Sequence, residues 1–169
     1  MFGRKSRRFE ISPDEQREQQ IERVHSLTYA LLLDLMAWFL DLREPVNEGL
    51  FPEYRLPHLR DVADPRERLG AYCSPRLLDA WEPVRARWLA RGIRVKPDFG
   101  TTATLHIEGL DGGETPRAVA RFTDRSVIER GAQRQYNSRD WVLTAWLRPD
   151  LSRIEDATFR PAGPEEGMS

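Results

Sequence analysis

The chain has 169 residues, 40% hydrophobic and 31% charged, with five Trp and seven Phe, enough to bury one proper core. A formal net charge of -1 gives no bulk drive toward nucleic acid or an anionic membrane, so we expect no nucleic-acid partner and at most peripheral membrane contact. The one cysteine, Cys73, excludes an internal disulfide framework and fits a reducing, cytoplasmic compartment. Lys occurs only at positions 5 and 96, a bias toward Arg that we read as compositional before reading it as selection for anion binding.

Residues 1 to 11 read as a basic flexible arm. Ser6-Arg7-Arg8 imitates a twin-arginine start, but the acidic stretch Asp14-Glu15-Gln16-Arg17-Glu18 stands where an apolar region should follow. Ser12-Pro13-Asp14-Glu15 supplies a capping hydroxyl, a proline for the first helical position and an acid at the third, so a helix is predicted to begin there. Ile21, Val24, Thr28, Leu31, Leu35, Trp38 and Leu42 then recur at spacings of three and four, and Pro45 ends the pattern. From Leu27 the stripe widens to most of the circumference, leaving Leu27, Ala30, Asp34, Ala37 and Asp41 as its least apolar edge. The two acids, and a length short of the ~20 residues a bilayer requires, argue against a membrane span over Leu27 to Leu42.

Residues 45 to 60 hold three prolines and read as an irregular connection. Asp64-Pro65-Arg66-Glu67 starts a short helix ending near Tyr72, and Ser74-Pro75 starts another with Leu77, Leu78, Trp81, Val84, Trp88 and Leu89 as its buried face. Pro83 is expected to kink that helix or split it at Glu82, and Gly92 to close it. After Lys96-Pro97 the period changes to two. Ala103, Leu105 and Ile107 alternate with polar residues. A turn signal spans Leu110 to Glu114, a second strand runs from about Arg117 to Arg130, and Gly131 turns the chain. A third strand runs from about Gln135 to Leu147, apolar on both faces near its end, and a fourth from about Arg153 to Arg160. Helices first and strands after predict an α+β domain over 12 to 160, with N-terminal helices on a four-stranded antiparallel meander, and a disordered tail over 161 to 169.

The capped helices, the exit Ala90-Arg91-Gly92-Ile93-Arg94-Val95 and the late-strand run Arg139-Asp140-Trp141-Val142-Leu143 resemble the nuclear-transport-factor-two-like, or cystatin-like cone, superfamily. Within it, Tyr72 to Leu147 is most similar to the C-terminal domain of the mitochondrial inner-membrane translocase motor anchor and its bacterial relatives. The resemblance covers roughly half the chain. It implies a curved sheet wrapped around a long helix, a pocket at the wide end and frequent dimerisation.

Chemistry-bearing residues are sparse. His25, His58, His106 and Cys73 are scattered singly, so no metal site is expected, and no motif implies a cofactor. Asp34 is the one acid inside an otherwise apolar run. It is either a proton-transfer group raised by burial, with Tyr29 or Tyr72, or a member of a thin polar edge meeting solvent or an arginine. Trp38, Trp81, Trp141 and His58 are candidates to line a pocket for a small apolar ligand, although aromatics at these spacings also serve as plain core. Arg121 and Arg125 share a strand face that could take an anion or could pair with Glu108 and Glu129.

The expected function is that of a non-catalytic interaction or assembly module, a homodimer or a complex with a protein partner. Its expected interface is Leu33, Met36 and Leu40 on the helix and Val142 and Trp146 on the sheet's second face. The alternative is a small-molecule binder or an isomerase, cyclase or hydratase using Asp34 in an aromatic pocket.

Overall fold

The computed structural model describes residues 12–39, 56–91, 94–98, 104–110, 115–130 and 132–162. The expectations placed on residues 1 to 11, on Leu40 to Leu42, on 45 to 55, on Gly92, on the turn at 111 to 114, on Gly131, on the 163 to 169 part of the tail and on the side chain of Arg125 lie outside the described residues.

The first helix, α1, spans Pro13–Phe39. Its start follows the capping grammar, with the Glu15 amide donating to Ser12 Oγ at 3.2 Å and the Gln16 amide to the Ser12 carbonyl at 2.9 Å. Arg23 ties this half of the helix across the fold by donating to the Leu151 carbonyl at 3.2 Å. From Val24 onward the apolar stripe is buried as the periodicity requires. The edge read as least apolar is not an exposed edge: Leu27, Ala30, Asp34 and Ala37 are all buried. The reason is geometric, since alanine at two of these positions lets another helix approach closely, and the charge of Asp34 is met by a cation there.

That helix is α2, Pro65–Gly70, whose first turn is capped by Asp64 accepting from the Arg66 amide at 3.1 Å. It follows a single 3-10 turn, Pro57–Leu59, that buries Leu59. Helix α3, Pro75–Ala90, starts on Ser74, whose hydroxyl accepts from the Leu77 amide at 3.4 Å. It runs unbroken through Pro83 and is not split at Glu82. The missing N–H frees the carbonyl of Asp79, and both Asp79 and Pro83 are exposed, so water can serve that acceptor. Of the six apolar residues expected to be buried on α3, only Leu77 and Leu78 are; Trp81, Trp88 and Leu89 are half-buried and Val84 is 41% exposed. The anchor lies at the start, where the Ser74 amide donates to the Ile154 carbonyl at 2.9 Å and its hydroxyl to the Glu155 carbonyl at 2.7 Å. The first turns therefore enter the core and the later ones run outward.

The sheet is antiparallel and contains β1 (Arg94–Asp98), β2 (Thr104–Glu108), β3 (Arg117–Arg130), β4 (Gln133–Leu147) and β5 (Ile154–Pro161). β3 and β4 form one long hairpin paired from Arg117↔Trp146 to Arg130↔Gln133. The far edge of β3 is shared, β2 lying against Arg117 to Arg121 and β1 against Arg125 to Glu129. The four expected positions across the sheet are thus filled by five segments, the first position being divided, and Pro97, which has no amide hydrogen, sits in an outer segment where it is tolerated. β5 joins β4 only over Trp141 to Leu147. One half of the sheet is four strands wide and the other three.

Helices cover one face. Ala118, Ala120 and Phe122 of β3 and Leu143, Ala145 and Leu147 of β4 join Leu31, Leu35, Leu69, Leu78 and Ile154 in a single core. This α+β arrangement, a long N-terminal helix and shorter ones packed on an antiparallel sheet, is the class expected from the sequence. No described helix is long and apolar enough to cross a membrane.

The turn after β2 depends on Gly109, at φ +81°, where a Cβ would come within 2.8 Å of the Thr115 carbonyl oxygen. Backbone of this hand is routine only for glycine. Gly109→Ala should destabilise the domain by roughly 1–3 kcal/mol, read as a lower urea midpoint at unchanged m-value.

Candidate functional site: the Asp34 network and the Trp38 groove

Asp34 projects from the middle of α1 toward the last turn of α2. Its Oδ1 accepts from Arg68 Nε at 2.7 Å and its Oδ2 from the Tyr72 hydroxyl at 2.7 Å. Both ion-pair side chains are at 0% exposure, and Tyr72 is buried beside them. Arg68 Nη1 donates to the carbonyls of Val62 and Ala63, the latter at 3.2 Å, drawing the approach to α2 down onto the same guanidinium. Among the described residues Arg68 Nη2 has no acceptor.

Carboxylate and guanidinium neutralise each other in a medium where either alone would be costly. With both oxygens engaged and no exposure, Asp34 has the surroundings of a structural ion pair rather than those of a base open to substrate. Cys73 adjoins the network and is itself buried. Burial pushes its thiol far up, the negative charge of Asp34 pushes the same way, and Arg153 and Arg66 oppose this weakly.

A groove of about 190 Å³ opens beside the network, lined by Ala37, Trp38, Asp64, Pro65, Arg66, Glu82 and Arg85. Asp34 is not part of this lining. Trp38 is buried, and two guanidinium groups face its ring, Arg85 at 5.5 Å and Arg66 at 5.8 Å from the centroid. Arg85 Nε also donates to the Trp38 carbonyl at 2.8 Å, satisfying an acceptor in the last described turn of α1 that the helix cannot satisfy itself. Arg66 is held in turn by Glu82 at 3.4 Å and Asp79 at 3.7 Å. The lining therefore carries two acids and two bases around one indole.

The structure brings Asp34 and Tyr72 together and leaves Tyr29 apart, half-buried with its ring 6.0 Å from that of His25. Trp38 lines the groove. Trp81 packs half-buried against the core, His58 is exposed on the 3-10 turn, and Trp141 sits on the sheet with Phe159 at 5.8 Å and Arg139 over its ring at 5.6 Å. Of these four, Trp38 alone is among the residues lining the groove.

Arg121 is exposed on the outer sheet face between Thr104 and Val142, while the acids considered for it are taken by others: Glu108 by Arg117, which holds that carboxyl below its usual range, and Glu129 by Arg134 at 3.4 Å. Leu33 and Met36 are half-buried and Leu40 is outside the described residues. Val142 is already buried within the chain, and Trp146 is half-buried on the outer face opposite Arg117 and Asp156. Sequence reasoning missed Arg68, Arg66 and Arg85. For Arg68 a signal existed, because Pro65, Arg68, Leu69 and Tyr72 repeat at helical spacing and make the arginine part of a buried face.

No protein-family model matches the chain, and no curated protein matches it.

Two outcomes test the network. Asp34→Ala strands a buried guanidinium and should cost about 3–5 kcal/mol in urea unfolding, whereas Asp34→Leu with Arg68→Met, which removes both charges, should cost markedly less. Equal costs for the single and double variants would show that the pairing is immaterial. For Cys73 the folded value lies above the unfolded one, so folded and unfolded states differ in protonation only above the unfolded value of ~8.5. There the unfolded chain releases the proton first, so wild type should lose stability relative to Cys73→Ala as pH rises beyond ~9, with a slope approaching about 1 kcal/mol per pH unit.

Proposed function

We propose that the chain is a non-catalytic interaction and assembly module of the nuclear-transport-factor-two-like cone type, acting in the cytoplasm as a self-associating domain. The observation that supports this most is the outward half of α3, where Val84 is 41% exposed and Trp81, Trp88 and Leu89 are half-buried along one helical stripe. An apolar stripe left at the surface of a small domain marks a contact surface.

The occupant we assign to it is a second copy. Around Val84 the helix carries Arg76, Asp79 and Glu82 before it and Arg85, Arg87 and Arg91 after it, with Asp79 and Glu82 already facing Arg66 and Arg85 bonded to the Trp38 carbonyl. Two copies packed antiparallel about a two-fold axis at Val84 cover each other's apolar stripe. The Asp34 network supports the non-catalytic part of the reading, because both carboxylate oxygens of Asp34 are engaged inside the fold. A small-molecule function at the Trp38 groove would have to work without Asp34 in its lining.

Light scattering at micromolar concentration should give the dimer mass for the wild type and the monomer mass for Val84→Glu, with the melting temperature of the isolated fold little changed because Val84 lies outside the core. A monomeric wild type removes the self-association reading.

A further inference from the structure

We propose that the unpaired edge of β4 from Gln133 to Ser138 binds an extended, acidic segment of a protein partner by strand addition. The inference rests on the interaction-module reading above but uses a different surface from α3.

The hairpin outruns the rest of the sheet. β3 accompanies β4 throughout, whereas β5 pairs from Trp141 onward and its last bond to β4 is the Ala162 amide to the Asp140 carbonyl at 2.8 Å. Among the described residues, Gln133 to Ser138 has no neighbour on that side. Asp140 directs its carbonyl to the β5 side, and strand backbone alternates, so Arg134, Tyr136 and Ser138 direct their N–H and C=O groups to the same side. Such a row of donors and acceptors is a template for another strand.

The contrast with β5 shows that this fold blunts its other edge. The Ile154 amide donates to the Tyr72 carbonyl at 2.8 Å, and the Ile154 carbonyl receives the Ser74 amide. The Ala157 amide is taken by the carboxylate of Asp156 at 2.9 Å, and Pro161 has no amide hydrogen. Among the described residues, no proline and no covering segment protects β4 from Gln133 to Ser138. Nor is the chain's own continuation suited to it: were the β4–β5 ladder to run on in register, Pro164 would fall opposite Ser138, where a donor is required.

Charge selects the partner. Arg134 stands on the outer face with its side chain 67% exposed and its Nε 3.4 Å from Glu129, a surface pair that an incoming carboxylate can share, and Arg139 reaches over Trp141 on the other face beside the exposed Asp140. An incoming strand with carboxylates on both faces meets both arginines. A second copy paired antiparallel through this edge would instead crowd four arginines into one short ladder. Tyr136, 80% exposed, adds an aromatic surface beside the incoming backbone.

The probe is a blocked heptapeptide alternating Glu and Val, titrated by calorimetry into wild type and into Val84→Glu, with a Lys–Val peptide as control. Saturable binding to both proteins is expected, weaker by roughly tenfold or more for the Lys peptide and for Tyr136→Pro. That proline removes only an outward-facing N–H, so circular dichroism and melting should show the fold intact. Should Tyr136→Pro fail to fold, backbone N-methylation of the peptide on the bonding side is the alternative, and it should abolish binding.

No saturation at millimolar peptide, equal binding of the Lys peptide, binding indifferent to Tyr136→Pro or to N-methylation, or a dimer that Tyr136→Pro dissolves would each overturn the inference. If the peptide fails while Val84→Glu still splits a dimer, the edge falls alone and the interaction-module reading stands. If the peptide binds a monomeric wild type, self-association falls and the edge stands.

Discussion

One buried charge organises the helical layer. Asp34 sits where burial without a partner would be prohibitive, so the fold must deliver a cation to it, and the cation comes from a six-residue helix too short to persist unaided. Arg68 fixes α2 against α1 and gathers the carbonyls of Val62 and Ala63 on its other side. Tyr72 holds the second carboxylate oxygen. Its backbone carbonyl, together with the next residues, then bridges to Ile154 at the start of β5. A continuous path thus leads from the middle of α1 through α2 to the sheet. Buried ion pairs contribute little net stability compared with apolar packing. The service of this one is to select one docking of α2, since any slip of the short helix leaves two unpaired charges in the core.

The same logic governs the end of α1. Its last described turn needs acceptors satisfied, and Arg85 supplies one bond while lying against the Trp38 ring. Arg66 reaches that ring from α2, and Glu82 of α3 holds Arg66. Three helices therefore meet around one indole through opposite charges rather than through a greasy seam. The consequence for α3 is directional. It is tied at Ser74 to β5 and at Arg85 to α1, and the residues on its remaining apolar face are left half-covered. The exposed stripe that motivates self-association follows from how the helix is anchored.

Local physics made most of the fold legible. Three serine or aspartate caps followed by proline each begin a helix as read, because capping depends on residues within one turn. Alternation placed Ala118, Ala120 and Phe122 inward for the same reason. What was not legible depended on distant partners. Asp34 could not be assigned as ion pair or base without knowing that Arg68, 34 residues away, arrives at its oxygen. The outward half of α3 looked like core because periodicity reports which residues share a face, not whether anything lies against it. Of the two outcomes expected at Pro83, a kink or a split, the split does not occur, since the cost of a lost bond depends on whether water reaches the freed carbonyl. The division of the first strand position follows from which part of β3 each piece finds, again a pairing across distance.

The open edge of β4 belongs to this second class, and its energetics bear on why a domain would keep it. A strand edge without a neighbour invites uncontrolled pairing, and proteins usually blunt such edges with proline, charge or a covering segment. On β5 all three devices are present within eight residues. On β4 the described residues supply only charge, and charge is the device that discriminates: it repels chains of like sign and admits those of opposite sign, whereas proline refuses every partner. Under the proposed strand addition, arginines at Arg134 and Arg139 without a proline favour acidic chains over basic ones. The hairpin can hold that surface away from the core because β1 braces β3 opposite it, so the arm need not borrow stability from whatever it binds.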